Sequence, residues 1–202
     1  MWSSHYPNWL SFAKPSTSQS DYLRVLAYIN IHLSSLQFSL CRDIINHRDI
    51  ILISFFFNNI CFFIINIYSD AFQSALKYLK DTEMNINNLI LMTGDFNIRD
   101  SLWDPSFPHH SSISNNLFIP VVLFNLDLST STDPIPTRYS DTPDESDLVI
   151  DLMFLYSGSS KLNCYSIHLS WRLTSDYTPL TITIPIEEEH IITSKFSLSK
   201  IS

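Results

Sequence analysis

Several short stretches of this 202-residue chain set polar, reactive side chains where apolar runs stop. Leu89-Ile90-Leu91-Met92-Thr93-Gly94 leads into Asp95-Phe96-Asn97, so a carboxylate and an amide, two residues apart, follow a run of strand length. In α/β proteins the ligand crevice lies outside the carboxyl ends of the strands, which is where such a pair would stand. Tyr68 closes Asn66-Ile67-Tyr68, and Asp151 sits inside the apolar run LVIDLMFL at residues 148–155. A carboxylate in that setting requires a partner or a metal. Ser175-Asp176-Tyr177 stands just ahead of a final alternating segment. Each residue also has a plain structural reading. Asp95 and Asp176 serve as turn residues, Tyr68 as a strand-end aromatic, and Asp151 as an acid paired with a core donor.

Gly94 is one of two glycines in the chain, where average usage would give about fourteen. A glycine retained there indicates a backbone turn or a close approach that a Cβ would block.

The elements that must position these residues follow from hydrophobic periodicity. Residues 24–33 alternate, with Val25, Ala27, Ile29 and Ile31 on one face of a strand. Residues 50–67 are almost continuously apolar but carry Ser54, Asn58-Asn59 and Asn66. Polar residues at mid-depth are costly in a membrane, whereas two fully buried strands joined at an Asn-Asn turn account for the same letters. Phe72, Ala75, Leu76 and Leu79 then recur at helical spacing, with Ser69 or Asp70 as N-cap and Lys77 and Lys80 near the far end. The strand beginning at Leu89 comes next, so the order strand, helix, strand is the βαβ signature of an α/β fold. Residues 99–116 read as a loop holding Trp103, His109 and His110, with Trp103 expected to pack. Leu180, Ile182 and Ile184 alternate in the last strand. Residues 1–23 read as an irregular lead-in and residues 187–202 as a polar tail opening on the charge run Glu187-Glu188-Glu189.

Net charge is −8 and uneven: residues 1–80 carry six Lys/Arg against four Asp/Glu, and residues 81–202 carry six against sixteen. An acidic half suits a divalent cation and argues against strong non-specific nucleic-acid binding, which depends on Lys and Arg neutralising phosphates. Cys41, Cys61 and Cys164 are odd in number and widely spaced. They read as reduced thiols of an intracellular protein, without a disulfide framework or zinc site. The amino terminus has no basic and apolar signal-peptide pattern.

Asn66-Ile67-Tyr68, Gly94-Asp95-Phe96-Asn97 with Trp103 downstream, the Ile150-Asp151 pair and Ser175-Asp176, in this order, resemble the endonuclease/exonuclease/phosphatase superfamily. They look most like the endonuclease domain that precedes the reverse transcriptase of non-LTR retrotransposons. The resemblance runs from Tyr28 to Ile184, within a partial domain at residues 24–186. It implies an α/β (in some schemes α+β) four-layer sandwich, two mixed β-sheets flanked by helices. It also implies phosphodiester cleavage dependent on Mg²⁺ or Mn²⁺, DNA as partner, no small-molecule cofactor, no membrane, and an intracellular location compatible with the nucleus. By the same resemblance, Asp95 orients and deprotonates the attacking water and Asn97 donates a hydrogen bond to the phosphate region. Tyr68 lies near the phosphate, Asp176 and Asp95 hold the metal, and Asp151 orients a histidine.

The chain departs from this pattern twice. Where the family has histidine after Ser-Asp it has Tyr177, and it has no glutamate before Glu83 to supply the family's metal-binding glutamate. With a pKa near about 10, tyrosine supplies no cation at neutral pH. His168, nine positions earlier, and His109 and His110 are the nearest histidine substitutes in sequence. The expectation is a domain lacking its first strands and catalytically impaired, the alternative being a non-catalytic remnant acting as an interaction or structural protein.

Overall fold

A computed structural model describes residues 8–13, 24–70, 72–82, 84, 86–129, 135–140, 146–158, 164–167, 177 and 180–183. In chain order its strands are β1 (Trp9–Ala13), β2 (Leu26–Asn30), β3 (Ser39–Leu40), β4 (Ile50–Phe57), β5 (Ile60–Tyr68), β6 (Leu89–Asp95), β7 (Leu126–Leu128), β8 (Asp151–Tyr156), β9 (Cys164–Ile167) and β10 (Leu180–Thr183). Helix α1 (Ser74–Asp81) precedes β6, and α2 (Asn115–Leu123) precedes β7.

Six strands form a mixed sheet in the order β3-β4-β5-β6-β8-β7. The apolar run at 50–67 is the expected strand pair: β4 and β5 are antiparallel, with Phe57 opposite Ile60 across a two-residue turn. Asn58 and Asn59 both have positive φ, at 48° and 63°, the backbone sign that a type I′ hairpin requires and that Asn tolerates. Both strands read as continuous apolar runs because both sheet faces are covered. Among the described residues no helix is long and apolar enough to cross a membrane.

On one face, Leu52, Ile65, Ile67, Met92, Leu152 and Phe154 pack against Ala75, Leu76 and Leu79 of α1 and Leu117 and Val121 of α2. On the other, Phe55, Phe62, Leu91, Met153 and Leu155 meet Leu180 and Ile182 of β10. Ile51 and Ile53 on that second face meet Val25, Phe12, Ala27 and Ile29. The two-stranded sheets β1-β2 and β10-β9 therefore cover the face opposite the helices, giving an α/β sandwich. The expected βαβ unit is present, since β5 and β6, joined through α1, are parallel neighbours.

Four local expectations are corrected. Residues 9–13, within the stretch expected to be irregular, form β1, paired residue for residue with β2 from Trp9–Asn30 to Ala13–Leu26. Five residues are too few for alternation to register before the partner strand is known. The strand expected at 24–33 ends at Asn30, whose side chain accepts from the His32 amide and starts a 3₁₀ turn at Ile31. Phe72 is 80% exposed and outside α1. The N-cap position is Gln73, with Asp70 reaching the first turn by accepting from the Ser74 amide at 3.1 Å and the Ser74 hydroxyl at 3.2 Å. Finally, Asp151 begins β8 instead of lying within it. The residues before it pair elsewhere, Leu148 with Arg138 and the Ile150 carbonyl with the Phe96 amide.

Candidate active site

Gly94 allows the site to form. Its φ is +149°, and a Cβ there would lie 1.9 Å from the Ile67 carbonyl oxygen. The close approach expected from the sequence is thus made by the neighbouring strand. Ile67 pairs with Gly94, and in the next position Tyr68 pairs with Asp95. On its other side, Asp95 lies opposite Asp151 of β8. Directly opposed residues point to the same sheet face, so Tyr68, Asp95 and Asp151 form one row across three adjacent strands. The row stands at the carboxyl ends of β5 and β6, where the sequence placed the chemistry.

The chain past β6 is held by short-range bonds. Asn97 has φ 49°, and its amide donates to Asp95 Oδ1 at 3.1 Å. Its Nδ2 donates to the Ser69 carbonyl at 3.0 Å, and the Ser69 amide donates to the Asp95 carbonyl at 2.7 Å. The Asn97 side chain also hydrogen-bonds the Asp95 carboxylate, lowering its pKa against the effect of burial. Thr137, fully buried, accepts from the Ile150 and Asp151 amides at 3.0 Å each through Oγ1, fixing the start of β8.

Tyr177 reaches this row. Its hydroxyl donates to Asp95 Oδ2 at 3.4 Å, so the residue in the histidine position contacts the candidate base itself. Arg138 pairs by backbone with both Leu148 and Tyr177, and its guanidinium carbon is 5.9 Å from the centroid of the Tyr177 ring. On the Tyr68 side, the Arg24 guanidinium lies 5.3 Å from the ring centroid. It also approaches Asp49 at 3.7 Å and Asp70 at 3.6 Å.

Burial pushes the Asp95 carboxyl above its ordinary value, against the lowering effect of the hydrogen bonds from Asn97 and Tyr177 and the charge of Arg138. A raised folded-state pKa means that Asp95 favours the fold below its unfolded pKa and that this contribution is lost as pH rises through the folded value. Asp95→Asn is therefore expected to melt at an equal or higher temperature than the parent at pH 7. The difference should shrink below about pH 4, where both carry a neutral side chain. A lower melting temperature for the variant at pH 7 would contradict this account.

Among the described residues no group of three or more His, Cys, Asp or Glu side chains could hold a metal ion. Asp95 and Asp151, opposed in register, nevertheless offer the hard carboxylate oxygens that suit Mg²⁺, which commonly takes one or two carboxylates and completes its shell with water and phosphate. Asp176, His168 and the glutamates at 187–189 lie outside the described residues.

Residues in the loop after Asn97 serve structure. Trp103 is buried as expected, its Nε1 donating to the Ile98 carbonyl at 3.1 Å. His109 and His110 are exposed, yet His110 Nδ1 lies 2.8 Å from the buried Asp100 carboxylate. Asp100 also accepts from the Ser111 amide at 2.9 Å, the Ser114 hydroxyl at 2.6 Å and the Leu102 amide at 3.0 Å. Burial alone would raise its pKa, but these bonds hold it below the usual carboxylate range. Its contribution is therefore present above the unfolded pKa near about 4 and is lost as pH falls through the folded value. Asp100→Ala should cost about 3 kcal/mol at pH 7, and the gap to the parent in urea midpoint should narrow in strong acid. A pH-independent gap would place its role elsewhere.

The sequence did not point to Asp100, Thr137, Arg138 or Arg24. None lies in a motif, and each takes its meaning from a partner at least ten residues away: Ser111 and Ser114, Asp151, Tyr177 and Tyr68.

No protein-family model matches the sequence, and a search among curated proteins finds no match. Solved structures do match. The endonuclease domain of TRAS1, a telomere-specific non-LTR retrotransposon, superposes with a TM-score of 0.71 at 14% identity, over 91% of this chain and 83% of that one. TDP2 of D. rerio, solved in complex with a single-strand DNA product, gives a TM-score of 0.54 at 12% identity, over 89% and 78%. The chain has the endonuclease/exonuclease/phosphatase fold.

Proposed function

We propose that the chain is a metal-dependent phosphodiesterase domain of the retrotransposon endonuclease type, acting on DNA and weakened by Tyr177. The row Tyr68–Asp95–Asp151 at the mouth of a fold shared with a retrotransposon endonuclease carries this reading. On it, Asp95 and Asp151, with Asp176 as the resemblance implies, would hold Mg²⁺ or Mn²⁺, which would supply Lewis-acid stabilisation of the phosphate charge. Asp95, its basicity raised by burial, orients a water molecule and accepts its proton while the water oxygen bonds to phosphorus. The bond from phosphorus to the departing strand breaks, and solvent protonates the leaving oxygen. Asn97 donates a hydrogen bond at the phosphate and Tyr68 flanks it, while the Tyr177 hydroxyl, its one hydrogen given to Asp95, weakens the site. A domain of this kind accompanies a reverse transcriptase and meets its DNA inside the cell, the nucleus included.

The test is nicking of supercoiled plasmid in Mg²⁺. The parent chain should nick slowly, and Asp95→Asn should be slower by about 10²-fold or more. No nicking by folded parent chain, or equal nicking by the variant, would overturn the catalytic reading.

A specific observation favours the second reading, a non-catalytic remnant acting as an interaction or structural protein. The Tyr177 hydroxyl occupies the Asp95 carboxylate, and no glutamate precedes Glu83 in the 202 residues. That reading predicts a folded chain without metal-dependent cleavage.

A further inference from the structure

We propose that Phe72 is a base-stacking residue for the DNA strand that enters the site, its ring taking the face of an unpaired nucleobase a few nucleotides from the phosphate at Asp95. This deepens the phosphodiesterase reading above and rests on it.

The apolar stripe of α1 runs through Ala75, Leu76 and Leu79, each at most 1% exposed. Phe72 stands three and four residues ahead of the first two, so one more turn of regular helix would carry it onto the same buried face. The fold does the opposite. Gln73 adopts φ 54° and ψ 36° and the helix starts after it, although an L-residue enters the left-handed region only at a cost. Among the described residues Phe72 is the most exposed large apolar side chain, at 80%.

That turn is held on every side. The Gln73 amide donates to the Asp70 carbonyl at 2.9 Å. The Asp70 carboxylate accepts from the Ser74 amide and hydroxyl and from the Phe72 amide. The Gln73 side chain is buried, its Oε1 accepting from Asn116 Nδ2 of α2 at 2.8 Å. The backbone that displays Phe72 is thus tied to both helices, and little freedom remains to be lost when the ring engages a ligand.

Position selects that ligand. Phe72 follows Tyr68 by four residues, and a chain extends at most about 3.6 Å per residue, so its Cα lies within about 14 Å of the Tyr68 Cα in the row. A DNA strand advances about 3.4 Å per nucleotide, which brings Phe72 within about four nucleotides of a phosphate at the row. Asp70, Gln73, Ser74 and Lys77, its described neighbours in sequence, are polar. A single ring in such surroundings lacks the contiguous apolar patch of a protein or membrane contact. It suits one flat partner, and every nucleobase has a π-face to offer. In a duplex those faces are stacked on one another, so the partner is an unpaired base.

The experiment measures binding of fluorescein-labelled oligonucleotides by anisotropy, in EDTA to prevent cleavage, across a salt series. Phe72→Ala should bind a single strand about fivefold or more weakly, the loss that follows removal of a stacking ring. Its salt slope should match the parent's, because a phenyl ring neutralises no phosphate. Phe72→Trp should restore the affinity, whereas Phe72→Leu, apolar but not planar, should not. On a strand of equal length built wholly of abasic nucleotides, parent and Phe72→Ala should bind alike. Val122→Ser is the control: Val122 is 74% exposed just ahead of β7, whose Leu126 pairs with Tyr156 at the end of β8 remote from Asp151, and it should bind as the parent does. A folded Phe72→Ala with parental affinity for the base-bearing strand, or an equal loss on the abasic strand, would overturn the inference and leave the phosphodiesterase reading standing. Failure of the parent chain to bind either strand at low salt would overturn both. Phe72 lies outside the core, so Phe72→Ala should keep the parental urea midpoint; a lower midpoint would show the ring to be packed and overturn the inference. Gel filtration showing a dimeric parent and a monomeric Phe72→Ala would assign the ring to a second copy of the chain and overturn it as well.

Discussion

Tyr177→His is expected to raise plasmid nicking by about 10²-fold or more, the contribution of a well-placed acid–base group. The tyrosine hydroxyl lies 3.4 Å from Asp95 Oδ2, close enough to hold the carboxylate that the proposed mechanism has receiving a proton from water. A histidine on the same backbone is shorter and withdraws from Asp95. That leaves room for a phosphate oxygen and brings an imidazole that is partly protonated near neutral pH. The neighbouring carboxylates Asp95 and Asp151 favour the imidazolium, whereas Arg138 opposes it. The gain should therefore be largest below about pH 7 and fade as the imidazole loses its proton. Single-turnover nicking rates of parent and variant at pH 6 and pH 8 decide the matter. If the variant is no faster at either pH, Tyr177 is not what limits the chain, and the deficit lies in the metal-binding donors.

Gly94→Ala is expected to be the most destabilising substitution in the site, costing about 3 kcal/mol or more and abolishing folding if the chain is only marginally stable. Two effects combine. At φ +149° an L-residue is strained, which costs about 1–3 kcal/mol. The added Cβ would also meet the Ile67 carbonyl oxygen at 1.9 Å and its carbonyl carbon at 2.7 Å. These are backbone atoms in a central strand that has β4 on its far side, so β5 cannot simply yield. Any relief separates Tyr68 from Asp95, and activity falls with stability. Urea denaturation of the variant measures the first effect. A variant within about 0.5 kcal/mol of the parent, the range of neutral surface changes, would show that the approach of β5 to β6 is looser than described.

Most of the other glycine-like positions among the described residues are taken by asparagine. Of the seven described non-glycine residues with positive φ, five are Asn58, Asn59, Asn88, Asn97 and Asn125, the others being Gln37 and Gln73. Asparagine tolerates the left-handed region because its amide can bond locally. Asn97 carries this economy into the site, turning the chain at φ 49° while its side chain ties the end of β6 to Ser69. Where a strand passes too close for any Cβ, asparagine does not serve, and glycine remains.

The sequence by itself determined the elements whose signal is local. The β4–β5 pair, α1 and β6 were legible because apolar periodicity and the Asn-Asn turn act within about twenty residues. The chemistry-bearing types Tyr68, Asp95, Asn97 and Asp151 were visible because a carboxylate or an amide at the end of an apolar run is locally anomalous. Tertiary structure alone decided which of them meet. That Tyr68, Asp95 and Asp151 share one row follows from a parallel and an antiparallel register, and shifting either by one residue would turn its residue to the opposite face. The contact of Tyr177 with Asp95 spans 82 residues of sequence. The placement of Arg138 depends on two single bridges, too sparse to leave any periodic trace. Asp100 is similar, since its buried charge is tolerated only because Leu102, His110, Ser111 and Ser114 converge on it. Local propensity fixes what each segment is, while strand register and converging hydrogen bonds, set by burial of both faces of the sheet, fix what each side chain can do.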